Sequence, residues 1–420
     1  MIPWAGKNIK KLCIYACSHT HTLSPAHTHH KQGSKYAKIL KNDQKHSIKV
    51  WTVESCGRRR HSGTVRHLVS CSPNGSLFVS AGADCSVRLF ERDSEHKIHE
   101  LCSFKGADES PETASAPHTS DVNRLSISSD LSALVSSSDD KSVVVWKIDH
   151  TARKLHPVAR LTAGGWLECV TLTACGDLIA AGDNFGVVKI WRYVDATWEE
   201  HETIATVADF VLPQEYRVHI THATCDNVGC INISFSTDNS TLVLGRGDGM
   251  IGVYKAQTGV RPGKFSGGFF ASVVAHEIIR ADGYCEVFAE VFSDSTTVLS
   301  VGDARLCVWD IQPKDTLEHI TEYELSGAGR RFICGEDKLI VSTWNGWVDI
   351  FHSEQYSGES SSSLHWCRFG LVPLVKMWHG SRVDGFILSH ILPNILVYGD
   401  DNGDIGVWEM VDASSTKTQK

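Results

Sequence analysis

The chain has 420 residues, 42% of them hydrophobic, with a formal net charge of −8, 14 Cys and 22 His. The negative balance argues against a generic nucleic-acid or membrane surface, both of which select an excess of Lys and Arg. No apolar run approaches the roughly 18 residues that span a bilayer, the opening MIPWAGKNIKK lacks the apolar core of a secretory signal, and no C-x-x-C pair occurs, so reduced and mostly buried thiols are expected.

In chain order, residues 1–46 come first and carry Ser18–His30 (SHTHTLSPAHTHH), an alternation of His and Thr near Cys13 and Cys17. The irregular spacing suits a metal poorly, and the segment is expected to be a flexible extension. A short apolar strand follows, SIKVWTV around Trp51. The same kind of strand then recurs and reaches an aromatic each time: VRLFER at Phe90, VVVWKI at Trp146, VKIWRY at Trp191, IGVYKA at Tyr254, LCVWDI at Trp309, VDIFHS at Phe351 and IGVWEM at Trp408. Consecutive aromatics stand 42 to 63 residues apart, a period that predicts an all-β array of stacked four-stranded antiparallel sheets.

The turn before each aromatic strand should carry a residue that tolerates left-handed backbone. Six residues before the aromatics stand Asp84, Asp140, Phe185, Asp248, Asp303, Asn345 and Asn402, and only Phe185 departs from the rule. Upstream, His61, His118 and His379 each precede a strand-opening Val by four residues, at Val65, Val122 and Val383. With these markers and the Trp309–Asp310 pair, residues 47–411 resemble the WD-repeat (beta-transducin-like) propellers.

That resemblance implies a buried network of His, Ser or Thr, Asp and Trp, which maps onto His118, Ser136, Asp140 and Trp146. His379 and Trp408 belong to a second copy with Asn402 at its turn, and His61, Ser80 and Asp84 to a third. The same residue types make nucleophilic triads. Inside a blade, however, they satisfy one another, because an unpaired buried polar group costs about 1–3 kcal/mol. A structural staple is therefore expected, and no catalytic residue.

Only ten residues separate Trp51 from His61, against 28 from Phe90 to His118, which leaves no room for a blade between them. Ser47–Ser55 is thus expected to be the outermost strand of the last blade, paired with Arg382–Met410 and closing a ring of seven blades, with 412–420 as a short polar tail. Eight blades, with Lys11–Trp51 as a degenerate repeat, is the alternative. Lys105–Pro117 and Gly358–Ser363 read as solvated loops. Tyr193–Gly229 is the longest insertion and reads as an extra outer strand or a short helix.

His219, His222, Cys225 and Cys230 have the ligand types of tetrahedral zinc, but Cys230 opens a strand, where Cys behaves as a small apolar residue; no metal and no cofactor are expected. A phosphate loop with Lys, a Gly-x-Ser-x-Gly elbow and an H-E-x-x-H helix are all missing from the sequence. In the resembled family, partners dock on the face formed by the loops before the first and third strands of each blade. On this chain those loops offer Trp166, Phe185, Arg246, Trp344, Trp347 and Arg382, residue types that dominate interface hot spots. The expected function is a non-enzymatic scaffold in the cytoplasm or nucleus that docks partner protein segments, with neither membrane nor direct nucleic-acid binding. A propeller enzyme acting at the central channel and a subunit of a ribonucleoprotein machine are the alternatives.

Overall fold

The computed structural model describes residues 35–36, 49–53, 58–106, 117–205, 229–247, 249–256, 265–272, 286–291, 295–302, 304–312, 317–335, 338–353, 371–379, 381–388 and 395–412. Their strands form seven four-stranded antiparallel blades, the seven-bladed propeller expected from the period. Blade 1 consists of Val65–Ser70, Leu77–Gly82, Ser86–Arg92 and Ile98–Lys105. Blade 2 consists of Val122–Ile127, Ala133–Ser138, Ser142–Asp149 and Lys154–Thr162, and blade 3 of Leu167–Leu172, Leu178–Asp183, Val187–Val194 and Thr197–Ala205. Blade 4 is Cys230–Phe235, Thr241–Arg246, Met250–Ala256 and Phe265–Ser272; blade 5 is Phe288–Val291, Thr297–Gly302, Arg305–Ile311 and Leu317–Glu324. Blade 6 is Gly329–Cys334, Lys338–Thr343, Trp347–Ser353 and Leu371–Trp378.

Blade 7 takes three strands from the end of the chain, Val383–Leu388, Ile395–Asp400 and Asp404–Asp412, and its fourth from the beginning. Lys49–Val53 pairs antiparallel with Asp404–Asp412, Trp51 standing opposite Met410, as the short spacing to His61 requires. Lys35–Tyr36 adds two more residues to the outer edge of that strand, a pairing the sequence did not suggest. Arg58–Arg59 pairs with Asp404 and Ile405, and His61 N–H donates to the Gly403 carbonyl at 3.1 Å.

Sequence pattern follows depth. Second strands such as Leu77–Gly82 and Leu178–Asp183 are buried throughout, so they read as mainly apolar runs in which Ser80 and Asp183 are the polar members. Outer strands such as Leu317–Glu324 are largely exposed and read as polar. The stretch after Tyr193 supplies the ordinary fourth strand of blade 3, Thr197–Ala205, and not an additional element. Residues 107–116, 206–228 and 358–363 of the expected insertions lie outside the described residues.

The apolar core is divided into layers between neighbouring blades, and the recurring aromatic of each blade packs against the blade before it. Trp146 sits between blades 1 and 2, Trp191 between 2 and 3, and Tyr254 between 3 and 4. Trp309, Phe351 and Trp408 fill the next three layers. The last layer joins Phe78 and Phe90 of blade 1 to Ile395, Val397 and Val407 of blade 7, so the ring is closed through its core as well as through its ladder.

Blade 7 carries a local exchange. Tyr398 occupies the place that Ser136 has in blade 2 and stacks on Trp408 with ring centroids 4.3 Å apart. The residue opposite it is Gly406, where a Cβ would lie 2.5 Å from the Tyr398 hydroxyl oxygen. Gly406→Ala is therefore expected to lower stability by about 1–3 kcal/mol. Denaturant titration checks this.

Candidate functional site

The His–Ser–Asp–Trp residues meet as a closed network. In blade 2 the Trp146 indole N–H donates to Ser136 Oγ at 2.8 Å, Ser136 Oγ lies 2.7 Å from His118 Nε2, and His118 Nδ1 lies 2.9 Å from Asp140 Oδ2. Burial alone would raise the Asp140 carboxyl, but bonds from His118, Ser142 and the Thr119 N–H hold it well below the usual carboxylate range. Ser136 is fully buried with its hydroxyl engaged on both sides, so this set presents no nucleophile to a substrate. His61, Ser80 and Asp84 repeat the arrangement in blade 1, without an indole because Phe90 replaces Trp.

In blade 7 the acidic partner is not at the turn. His379 Nε2 lies 3.2 Å from Asp400 Oδ2, while Asn402 uses only its backbone N–H toward Asp400. Blade 3 makes the same move: Asp183, at the end of its second strand, accepts the N–H groups of Phe185 and Val187 at 2.9 Å each. The apparent break at Phe185 is thus a displaced acid, which frees the turn position for an exposed ring. Asp248 and Asp303 lie outside the described residues.

The loops before the first and third strands share one end of the ring, and there the candidates separate. In blade 3, Trp166 is 55% exposed and Phe185 63% exposed, so two large rings of one blade face solvent together. The Trp166 N–H is fixed by Asn184 Oδ1 at 2.9 Å, which binds the two loops to each other. Arg246 is buried at 2% exposure and leaves the set of surface groups. Trp344 is half-buried beneath two guanidinium groups, Arg330 at 4.0 Å and Arg382 at 4.8 Å from its ring centroid. Trp347 is half-buried too, its N–H accepted by Thr343 Oγ1 at 3.0 Å. Trp378, which sequence reasoning did not single out, is 64% exposed across the ladder from Trp347.

A polar lining continues from this mouth into the central channel. Arg330 Nε donates to Asp384 Oδ1 at 3.0 Å and its Nη1 to Glu286 Oε2 at 3.1 Å, while Arg382 Nε donates to Asp384 Oδ2 at 3.1 Å. Glu168, two residues beyond Trp166, is pushed up to about 7 by burial and by the charges of Glu286 and Asp139, against the opposing pull of Arg330 and Arg331. Arg330, Asp384 and Glu168 are aimed by a repeated irregularity. Six of the seven first strands skip one register step between their first and third residues, for instance between Val65 and His67, Leu167 and Cys169, or Gly329 and Arg331. Such bulges redirect side chains, and they interrupt the alternation from which orientation would be read in the sequence.

His219, His222 and Cys225 of the zinc-type set lie outside the described residues; Cys230 is buried, and its carbonyl accepts the Cys169 thiol at 3.1 Å. Among the described residues, Cys307, His319 and Glu322 place ligand atoms within 4.8 Å of one another. Burial pushes the Cys307 thiol up to about 12, however, and Arg305 Nη1 donates to Glu322 at 3.2 Å, a poor donor set for a cation.

Seven blades sealed by apolar layers and stapled by buried polar networks, with large aromatic side chains left exposed on one end, define a β-propeller of the protein-interaction class. The chain is similar to the WD-repeat family of propellers: the model for the WD domain, G-beta repeat, matches residues 54–91 and 112–147, which take in the first two strands and most of the third in blades 1 and 2. It is similar to Protein hir-1 of Neurospora crassa, 29% identical over 168 residues that make up 35% of this chain and 16% of that protein. Protein HIR1 of Chaetomium globosum is 31% identical over 145 residues, 33% of this chain and 13% of its own length. Human apoptotic protease-activating factor 1 is 25% identical over 227 residues, 49% of this chain and 16% of the human protein. The chain therefore spans less than a fifth of these relatives' length. No helix among the described residues is long and apolar enough to cross a membrane.

Proposed function

We propose that this propeller is a non-enzymatic scaffold, in the cytoplasm or the nucleus, that docks a partner protein segment on the mouth of blade 3 within a multiprotein assembly. The observation that carries the reading is the exposure of Trp166 and Phe185 on two loops of one blade, tied together by Asn184. Aromatic side chains have few rotatable bonds to immobilise on binding, and such residues carry most of the energy of an interface. The Trp344–Trp347 turn is secondary, because its first ring already lies under Arg330 and Arg382.

Glu168 adds chemistry to the aromatic pair. A Lys or Arg of the partner placed beside it offsets the burial, and the repulsion from Glu286 and Asp139, that together hold this carboxyl up at about 7. Docking of a basic segment is then expected to strengthen as pH rises through about 7, because the carboxylate form is the one that binds.

The test is affinity capture with the intact chain, identification of the captured proteins, and titration of the purified partner against variants. Trp166→Ala and Phe185→Ala are each expected to weaken binding by at least about tenfold (~1.4 kcal/mol) with unchanged melting. Glu168→Gln should flatten the pH dependence. Full affinity in both aromatic variants refutes docking on blade 3.

A further inference from the structure

At the opposite end of the ring the central channel widens into a cavity of about 510 Å³. It lies where first strands turn into second strands: Ser72 and Pro73 of blade 1 and Leu131 of blade 2 stand on its wall. Its volume falls within the range of small-molecule sites, and its lining has their character, apolar walls with a few convergent polar groups. Ile127, Ile333 and Phe386 supply apolar surface, and His67, Arg124, Glu290 and Arg331 supply the polar groups.

The charges of the four do not close among themselves. Arg124 donates to the Asn232 side-chain oxygen and lies 3.7 Å from Glu290, and Asn232 in turn donates to the Ala289 carbonyl at 2.9 Å, so Glu290 and Asn232 are already matched to Arg124. Arg331 is 9% exposed, and its Nε and Nη1 meet no hydrogen-bond acceptor among the described residues. What its guanidinium does touch is the Phe288 ring, whose centroid lies 4.1 Å from Cζ and supports the plane, while the Nε and Nη1 N–H groups lack acceptors. His67 Nδ1 is buried and likewise has no partner. Asp384, on the same wall, is engaged by Arg330 and Arg382.

Buried guanidinium N–H groups that lack acceptors are matched by an oxyanion, planar or tetrahedral, whose oxygens accept charge-assisted bonds. We propose that the cavity binds a small organic oxyanion, a carboxylate or phosphate monoester with an apolar body, held by Arg331 with Arg124 beside it. The anion supplies hydrogen-bond acceptors to a buried cation that feels Asp384 and Glu286 only through their charge, and the body lies against Ile127 and Ile333. His67 is held well below its ordinary value by burial and by Arg124 and Arg331, so a bound anion shields it from both cations and draws its titration upward.

The experiment titrates the full chain with hexanoate, hexyl phosphate and uncharged hexanol by isothermal calorimetry, following the His67 ring by NMR. Saturable 1:1 uptake of either anion is expected, with hexanol binding at least about tenfold more weakly and the His67 resonance shifting toward the protonated position. The stronger of the two anions identifies the head group. Arg331→Gln removes an unmatched buried charge and should fold at least as stably, yet lose at least about tenfold in anion affinity. Trp166→Ala, at the other end of the ring, should leave anion binding unchanged, which separates this site from the proposed docking face. No saturable uptake below about 10 mM, equal binding of hexanol, or unaltered binding by Arg331→Gln overturns the proposal.

Discussion

A chain that begins at Ser47 should melt close to the full-length protein, and one that begins at Cys56 should melt roughly 10 °C lower or aggregate. The two differ by Lys49–Val53, the strand that pairs with Asp404–Asp412 and completes blade 7. Without it the N–H and C=O groups of the blade's third strand lose their ladder partners and become an open edge, the template on which strands aggregate. The damage does not stay local, because blade 7 shares its apolar layer with Phe78 and Phe90 of blade 1. Among the described residues, trimming to Ser47 removes only the two-residue pairing of Lys35–Tyr36, a minor part of the sheet. Equal melting of the two shortened chains would contradict closure by the N-terminal strand.

The second large effect concerns two tryptophans that look equivalent in the sequence. Trp146→Ala is expected to cost about 3–5 kcal/mol, since it empties the layer between blades 1 and 2. Trp146→Phe keeps most of the volume but removes the 2.8 Å indole bond to Ser136, for about 1–2 kcal/mol. Trp408→Phe should be nearly neutral: its indole nitrogen is buried with no partner among the described residues, and its ring is held by stacking on Tyr398 and an edge contact from His379. Urea denaturation of the three variants decides the matter. Equal losses for the two Trp→Phe changes would remove the distinction between the two blades.

Much of the fold was legible in the sequence for a physical reason: each blade must bury an aromatic against its predecessor, and that demand recurs at Phe90, Trp146, Trp191, Tyr254, Trp309, Phe351 and Trp408. The turn signal was legible too, but a fixed offset hid its variation. At Asp183 and Asp400 the acid stands two residues earlier and still caps the turn, so Phe185 is a relocated constraint rather than a lost one. Orientation was the harder part. Arg246 looks like a surface cation in a loop and is buried, whereas Trp378, which no sequence pattern singled out, is exposed. The channel residues Arg330, Arg331 and Glu168 were not recognisable, because bulges in the first strands break the two-residue alternation that assigns faces.

The direct test of the docking account is photo-crosslinking in cells, with benzoylphenylalanine replacing Phe185 and, separately, Ile320, which is 41% exposed on the outer strand of blade 5. The expected result is a covalent adduct to a specific protein from position 185, lost when Trp166→Ala is added, and none from position 320. Adducts from position 320 with none from 185 would contradict it.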